Sequence, residues 1–144
     1  MNKRKIIQSL LFIVYTTVIL YLTLLDRTPK TNRIFRPDLF YEIRLFVTGD
    51  ASGVHYLTLF IENILFYVPY GFLLPVKKNR KQVLSVILLT SVFIELTQYV
   101  LILGECEIDD MIANTIGGMI GFGIYKLINK IVTTKNIIKE RDMR

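Results

Sequence analysis

The chain has 144 residues, a formal net charge of +6, and 52% hydrophobic residues, too apolar a composition for a soluble domain of this size. A single cysteine, Cys106, and a single histidine, His55, exclude an intrachain disulfide, a multi-cysteine zinc site and any centre that needs two histidines. The cations flank apolar blocks instead of forming one basic face, with Lys3, Arg4 and Lys5 before the first block, Lys77, Lys78, Arg80 and Lys81 between the second and third, and Lys126 to Arg144 at the end, which argues against nucleic acid as a partner.

The apolar residues fall into four blocks of about twenty residues, the length a helix needs to cross a hydrocarbon core of ~30 Å. The expected fold class is therefore all-α: a four-helix transmembrane bundle, with spans at about 6–25, 54–76, 83–103 and 111–132 and the whole chain 1–144 as a single membrane domain. The placement of Lys and Arg predicts an N-in/C-in topology with both termini cytoplasmic.

The first block follows a basic start, but its apolar run is too long for a signal peptide and lacks a small-x-small cleavage site, so an uncleaved first helix is expected. Residues 26–53 form the one long loop, placed outside by the topology. Within it Pro37 can open a helix whose apolar residues Leu39, Phe40, Ile43, Phe46 and Val47 follow helical spacing, an interfacial helix in the headgroup region; an ordinary surface loop is the alternative. In the second block Pro69 should kink the helix and free a carbonyl near Leu65.

The turn at 104–110 between the third and fourth blocks is wholly acidic. Glu105, Glu107, Asp109 and Asp110 read as a solvated cap on the fourth helix, where Asp109 and Asp110 suit the N-terminus. Ca²⁺ or Mg²⁺ binding is the lesser reading, since the turn lacks the glycine and distal glutamate of an EF-hand loop; no metal site and no cofactor is assigned. In the fourth block Ala113, Gly117 and Gly121, with Gly118 beside them, make a small-xxx-small face that lets helix backbones approach.

Polar groups inside the spans form a band. At 1.5 Å per residue, Asn63 lies about 10 Å from the outer end of the second helix, with Gln98 about 7 Å and Glu95 about 12 Å below that of the third. Asp110 opens the fourth helix and Asn114 is one turn further. Glu95 and Gln98 share a face by spacing, as do Asp110, Asn114 and Gly118; of the adjacent Glu62 and Asn63 at most one points into the cluster. A carboxylate within a span costs ~2.5–3.5 kcal/mol on insertion scales and normally faces the bundle interior, paired or protonated. Glu95 is expected to bond Gln98, Asn63 or Asn114. Interhelical glue is the structural alternative to a functional site.

These residues carry a resemblance. The segment NILFYVPYG at 63–71, ELTQ at 95–98, then Gly104, Asp109, Asp110, Asn114, Gly117, Gly118 and Gly121 resemble the VanZ-like family in order and spacing over most of 55–128. Many members have an arginine where Glu105 stands, so a role for that arginine in gripping an anion does not carry over, and Arg33 or Arg36 would have to supply the basic partner. The resemblance implies a multi-pass protein of the bacterial cell membrane, from a family named for resistance to the glycopeptide teicoplanin. The function expected is a cell-envelope factor whose outer-leaflet polar pocket, made by Asn63, Glu95, Gln98, Asp110 and Asn114, binds a lipid headgroup, a cell-wall precursor or a lipoglycopeptide, with membrane lipids as its surroundings. The alternatives are an enzyme acting on a lipid-linked substrate, with Glu95 and Asp110 as acid and base, and a small transporter subunit. Catalysis is the weaker reading because no nucleophile triad or phosphate-cradling loop is present.

Overall fold

The computed structural model describes residues 3–27, 29–75 and 79–143. Helix α1 (Lys3–Leu20) runs on into a π-helical turn, Tyr21–Leu25; then follow strand β1 (Ile34–Arg36), a short α2 (Tyr41–Val47), α3 (Gly53–Leu73), α4 (Arg80–Leu101), β2 (Glu105–Glu107) and a long α5 (Ile108–Asp142). Among the described residues four segments are long and apolar enough to cross a membrane: Lys5–Leu25, Gly53–Leu73, Arg80–Leu101 and Ile108–Lys135. The expected end of the second span at Val76, with Lys77, Lys78 and Arg144, lies outside the described residues.

Local chemistry sets the helix ends. Helix α3 stops at Leu73 because Leu74, which precedes Pro75, is held extended at ψ 124°, as the proline ring demands of the residue before it. Helix α4 starts three residues before the expected position because the Asn79 side chain accepts the Lys81 N–H at 3.0 Å, an N-cap. It ends at Ile102 in the left-handed region, φ 58°. Threonines sit in the apolar spans by bonding back one turn: the Thr16, Thr17 and Thr23 hydroxyls donate to the carbonyls of Phe12, Ile13 and Ile19, which leaves no unsatisfied hydroxyl to face lipid.

The core gathers Ile19 from α1, Tyr67 and Tyr70 from α3, Val83, Ile87 and Ile94 from α4 and Phe122 from α5, with Leu74 beside them. The outward faces are just as apolar, with Leu10, Ile13, Leu65, Leu89, Phe93 and Leu127 exposed; that pattern suits lipid, not water. The tightest seam joins α3 and α5. A Cβ on Gly117 would overlap the Ile64 carbonyl, one on Gly121 the Val68 carbonyl, and one on Gly71 the backbone of Gly118. Ala113 is fully buried. Pro69 lies inside α3, and the Tyr15 hydroxyl donates to the neighbouring Phe66 carbonyl at 2.7 Å.

Two expectations require correction. The acidic turn is not a solvated cap: residues 105–107 form a strand that pairs in parallel with β1, with Ile34 opposite Glu105, Phe35 opposite Cys106 and Arg36 opposite Glu107, so a minimal sheet is added to the helical bundle. Nor does Pro37 open the loop helix. Helix α2 begins four residues later, after Phe40 at φ 55°, because the buried Asp109 carboxylate, 2% exposed, accepts the Phe40 N–H at 2.6 Å and the Glu42 N–H at 3.2 Å. The first amides of a helix have no internal partner, so α2 starts where a carboxylate from α5 caps it. Helix α2 then packs on α3, where Gly53 comes within 2.6 Å of Phe46 Cα at its would-be Cβ and Tyr41 meets Tyr56 edge-on at 5.9 Å.

Candidate functional site

The π turn after α1, the first half of α3, the end of α4, β2 and the start of α5 converge at one end of the bundle around a cavity of ≈ 360 Å³. Asn63, Glu95, Gln98, Asp110 and Asn114 all line it. Glu95, Gln98 and Asn114 are at most 4% exposed. One face of α4 therefore supplies Glu95 and Gln98 to the cavity and one face of α5 supplies Asp110 and Asn114, which is the consequence of three- and four-residue spacing on a helix.

Their partners differ from those expected. Asn63 Nδ2 donates to Asp110 Oδ1 at 2.6 Å, a bond between α3 and α5. Glu95 takes a backbone partner in place of the expected Gln98, Asn63 or Asn114 side chains: its Oε2 accepts the Glu107 N–H at 3.1 Å, because β2 turns its backbone toward the end of α4. Gln98 Nε2 reaches the Thr23 carbonyl at 2.9 Å. That carbonyl lies in the π turn, where the regular i→i−4 ladder is interrupted. Asn114 Nδ2 donates to Ser91 Oγ at 2.9 Å, while its Oδ1 has no hydrogen-bond partner among the described residues.

The charged rim also departs from expectation. Arg33 donates to the Val100 carbonyl at 3.4 Å and is absent from the cavity lining. Arg36 pairs with Glu105 and lies 3.7 Å from Glu107, and its guanidinium stacks over Tyr41 at 5.0 Å and Tyr56 at 5.8 Å. The Glu105 carboxylate beside it raises the Arg36 pKa. The basic side chains lining the cavity are instead Arg27 and Lys30, both exposed, with Lys30 3.8 Å from Glu105.

Glu42 of α2, 1% exposed, is the residue that sequence reasoning missed at this site. Burial, reinforced by the Asp110 carboxylate, pushes its carboxyl up to about 8, and the same two causes push Glu107 up to about 7. Both shifts record the cost of charging a carboxyl away from water beside like charges. Ser91 was missed as well, although it stands one turn before Glu95 on the same face and spacing could have found it.

A family model described as VanZ/LLP1 matches residues 12–129. Among curated proteins, the chain is similar to Protein VanZ of Enterococcus faecium, 33% identical over 82 residues, which cover 54% of this chain and 50% of the relative; the chain thus spans about half the length of the curated relative it matches. No solved structure matches it. The chain belongs to the VanZ/LLP1 family.

Proposed function

We propose that this membrane protein of the VanZ/LLP1 family is a binding protein of the bacterial cell envelope, with both termini cytoplasmic, α2 at the interface and the polar cavity opening in the outer half of the bilayer. Its ligand is an envelope molecule with an anionic, hydrogen-bonding head: a lipid headgroup, a cell-wall precursor or a lipoglycopeptide of the teicoplanin type. The observation that carries this reading is the cavity itself, in which amide groups from three spans stand among the carboxylates of Glu42, Glu62, Glu95, Glu105, Glu107 and Asp110, with Arg27 and Lys30 lining the same space. Convergent polar groups in a largely apolar recess are the usual form of a small-molecule site, and intramembrane polar side chains are costly enough to be a functional-site hypothesis by default.

This topology is supported by the positive-inside rule, since Arg80 and Lys81 begin α4 and Lys126, Lys130 and Lys135 lie in the second half of α5, away from the cavity end. Teicoplanin susceptibility should be compared in cells carrying the wild-type chain, Glu95→Gln or Asn114→Ala at equal expression. Either substitution is expected to move susceptibility relative to wild type; identical susceptibility in all three overturns the reading. Turnover of labelled envelope lipids by the purified protein, lost in Glu95→Gln, would replace binding by catalysis.

A further inference from the structure

We propose that Glu42, Glu107 and Asp110 form a site for a divalent cation of the Ca²⁺ class, bridging α2, β2 and α5. Each residue offers one carboxylate oxygen, and the three oxygens all lie within 4.8 Å of one another. Oxygen ligands stand 2.3–2.6 Å from Ca²⁺, so donors on one coordination sphere are at most ~5 Å apart; the spacing fits that sphere. Glu107 and Asp110 belong to one acidic turn, and the fold brings Glu42 to them from the first loop.

The second observation concerns atoms left without partners. Glu42 is 1% exposed and its Oε2 has no hydrogen-bond partner among the described residues; the same holds for Oδ1 of Asn114, 4% exposed, which lines the same cavity one turn along α5 from Asp110. Both are acceptors that ordinarily find a donor when buried. A hard cation satisfies such oxygens, and carboxylate and amide oxygens are the ligands that Ca²⁺ and Mg²⁺ take. No protein cation does so: among the described residues no ion pair reaches Glu42 or Asp110, and Arg36, paired with Glu105, comes only to 3.7 Å of Glu107. The cation site stands on these groups alone and does not depend on which envelope molecule occupies the cavity.

The test uses Tb³⁺, a hard trivalent stand-in for Ca²⁺, with the full chain purified in detergent at neutral pH. Tyr41 adjoins Glu42 in sequence and Tyr56 packs on it, so tyrosine excitation should sensitise bound Tb³⁺. Saturable luminescence is expected, displaced by Ca²⁺ but not by K⁺, lost in Glu42→Gln and Asp110→Asn, and kept in Asp38→Asn, which changes an exposed carboxylate of the same loop. Circular dichroism checks that each variant is helical; should Glu42→Gln not fold, Glu107→Gln takes its place. As a second readout, Ca²⁺ should raise the melting temperature of the wild type and not that of the variants. Absence of saturable luminescence in the wild type, or equal luminescence in wild type and the folded site variants, overturns the proposal.

Discussion

Gly117 offers the sharpest test of how the bundle is held. Inside lipid the hydrophobic effect no longer distinguishes helix from surroundings, so α3 and α5 must associate by van der Waals contact and hydrogen bonds. Gly117→Ala adds one methyl group, and that methyl would land on the Ile64 carbonyl. Its obstacle is backbone, which cannot rotate away as a flexible side chain could, so the whole α3–α5 seam must part. Overpacking of this kind costs about 1–3 kcal/mol. Gly123→Ala is the matched control: it is two turns along the same helix, with nothing within 4 Å of the new Cβ, and alanine's higher helix propensity should make it neutral or stabilising by up to ~1 kcal/mol. Unfolding in detergent–SDS mixtures, followed by helical circular dichroism, measures both. Equal unfolding midpoints for Gly117→Ala and Gly123→Ala would refute the packing argument, because propensity alone predicts the same gain at each.

Three further outcomes follow from the site. Asn63→Ala removes the donor to Asp110 Oδ1 and should cost about 1–3 kcal/mol, the usual penalty for stranding a partly buried acceptor, read by the same SDS titration. Arg36→Ala removes the pairs to Glu105 and Glu107 and the stacking on Tyr41 and Tyr56, and should expose residues 30–50 to limited proteolysis while leaving the span helicity unchanged. With divalent cations chelated, stability should fall as pH rises: Glu42 and Glu107 are raised from 4.5 to about 8 and about 7, so the protonated carboxyls favour the fold below about 4.5, and that contribution is lost through about pH 7–8. A melting curve series from pH 5 to 9 checks this, and Glu42→Gln, neutral throughout, should flatten the profile.

The four spans were legible because a run of about twenty apolar residues has few other physical outcomes. The polar band was legible for a related reason: helical spacing alone aligns Glu95 with Gln98 and Asp110 with Asn114. What remained hidden lies in contacts between residues far apart in sequence. A three-residue strand has no periodicity to detect, and β1 and β2 are defined only by one another across about seventy positions. Helix α2 was placed too early for the same reason, since the carboxylate that accepts the N–H groups at its start belongs to Asp109 of α5 and not to a side chain of the loop. Nothing in the local sequence marks Glu42 for burial; it is buried because α2 folds down over the acidic turn.

Parallel pairing of β1 with β2 explains the charge arrangement at the mouth of the cavity. Parallel strands cannot be joined by a tight turn, and here α2, α3 and α4 make the connection, so the first loop must lie across the end of the bundle. The register then sets Arg36 opposite Glu107 and next to Glu105. The acid at position 105, where the resembled family often has arginine, is thereby neutralised by a cation delivered from the strand beside it. Arg36 is occupied in holding the loop down, with Tyr41 and Tyr56 beneath its guanidinium, and is a poor candidate to grip a ligand. The positive charge available to an anionic head falls to Arg27 and Lys30, which line the cavity from the end of the first span. Arg27→Gln should therefore weaken capture of anionic lipid in co-purification while leaving the loop protease-resistant, whereas Arg36→Ala should reverse that pair of outcomes. If both variants lose the same lipid and both expose the loop, the division of labour between the two arginines is wrong.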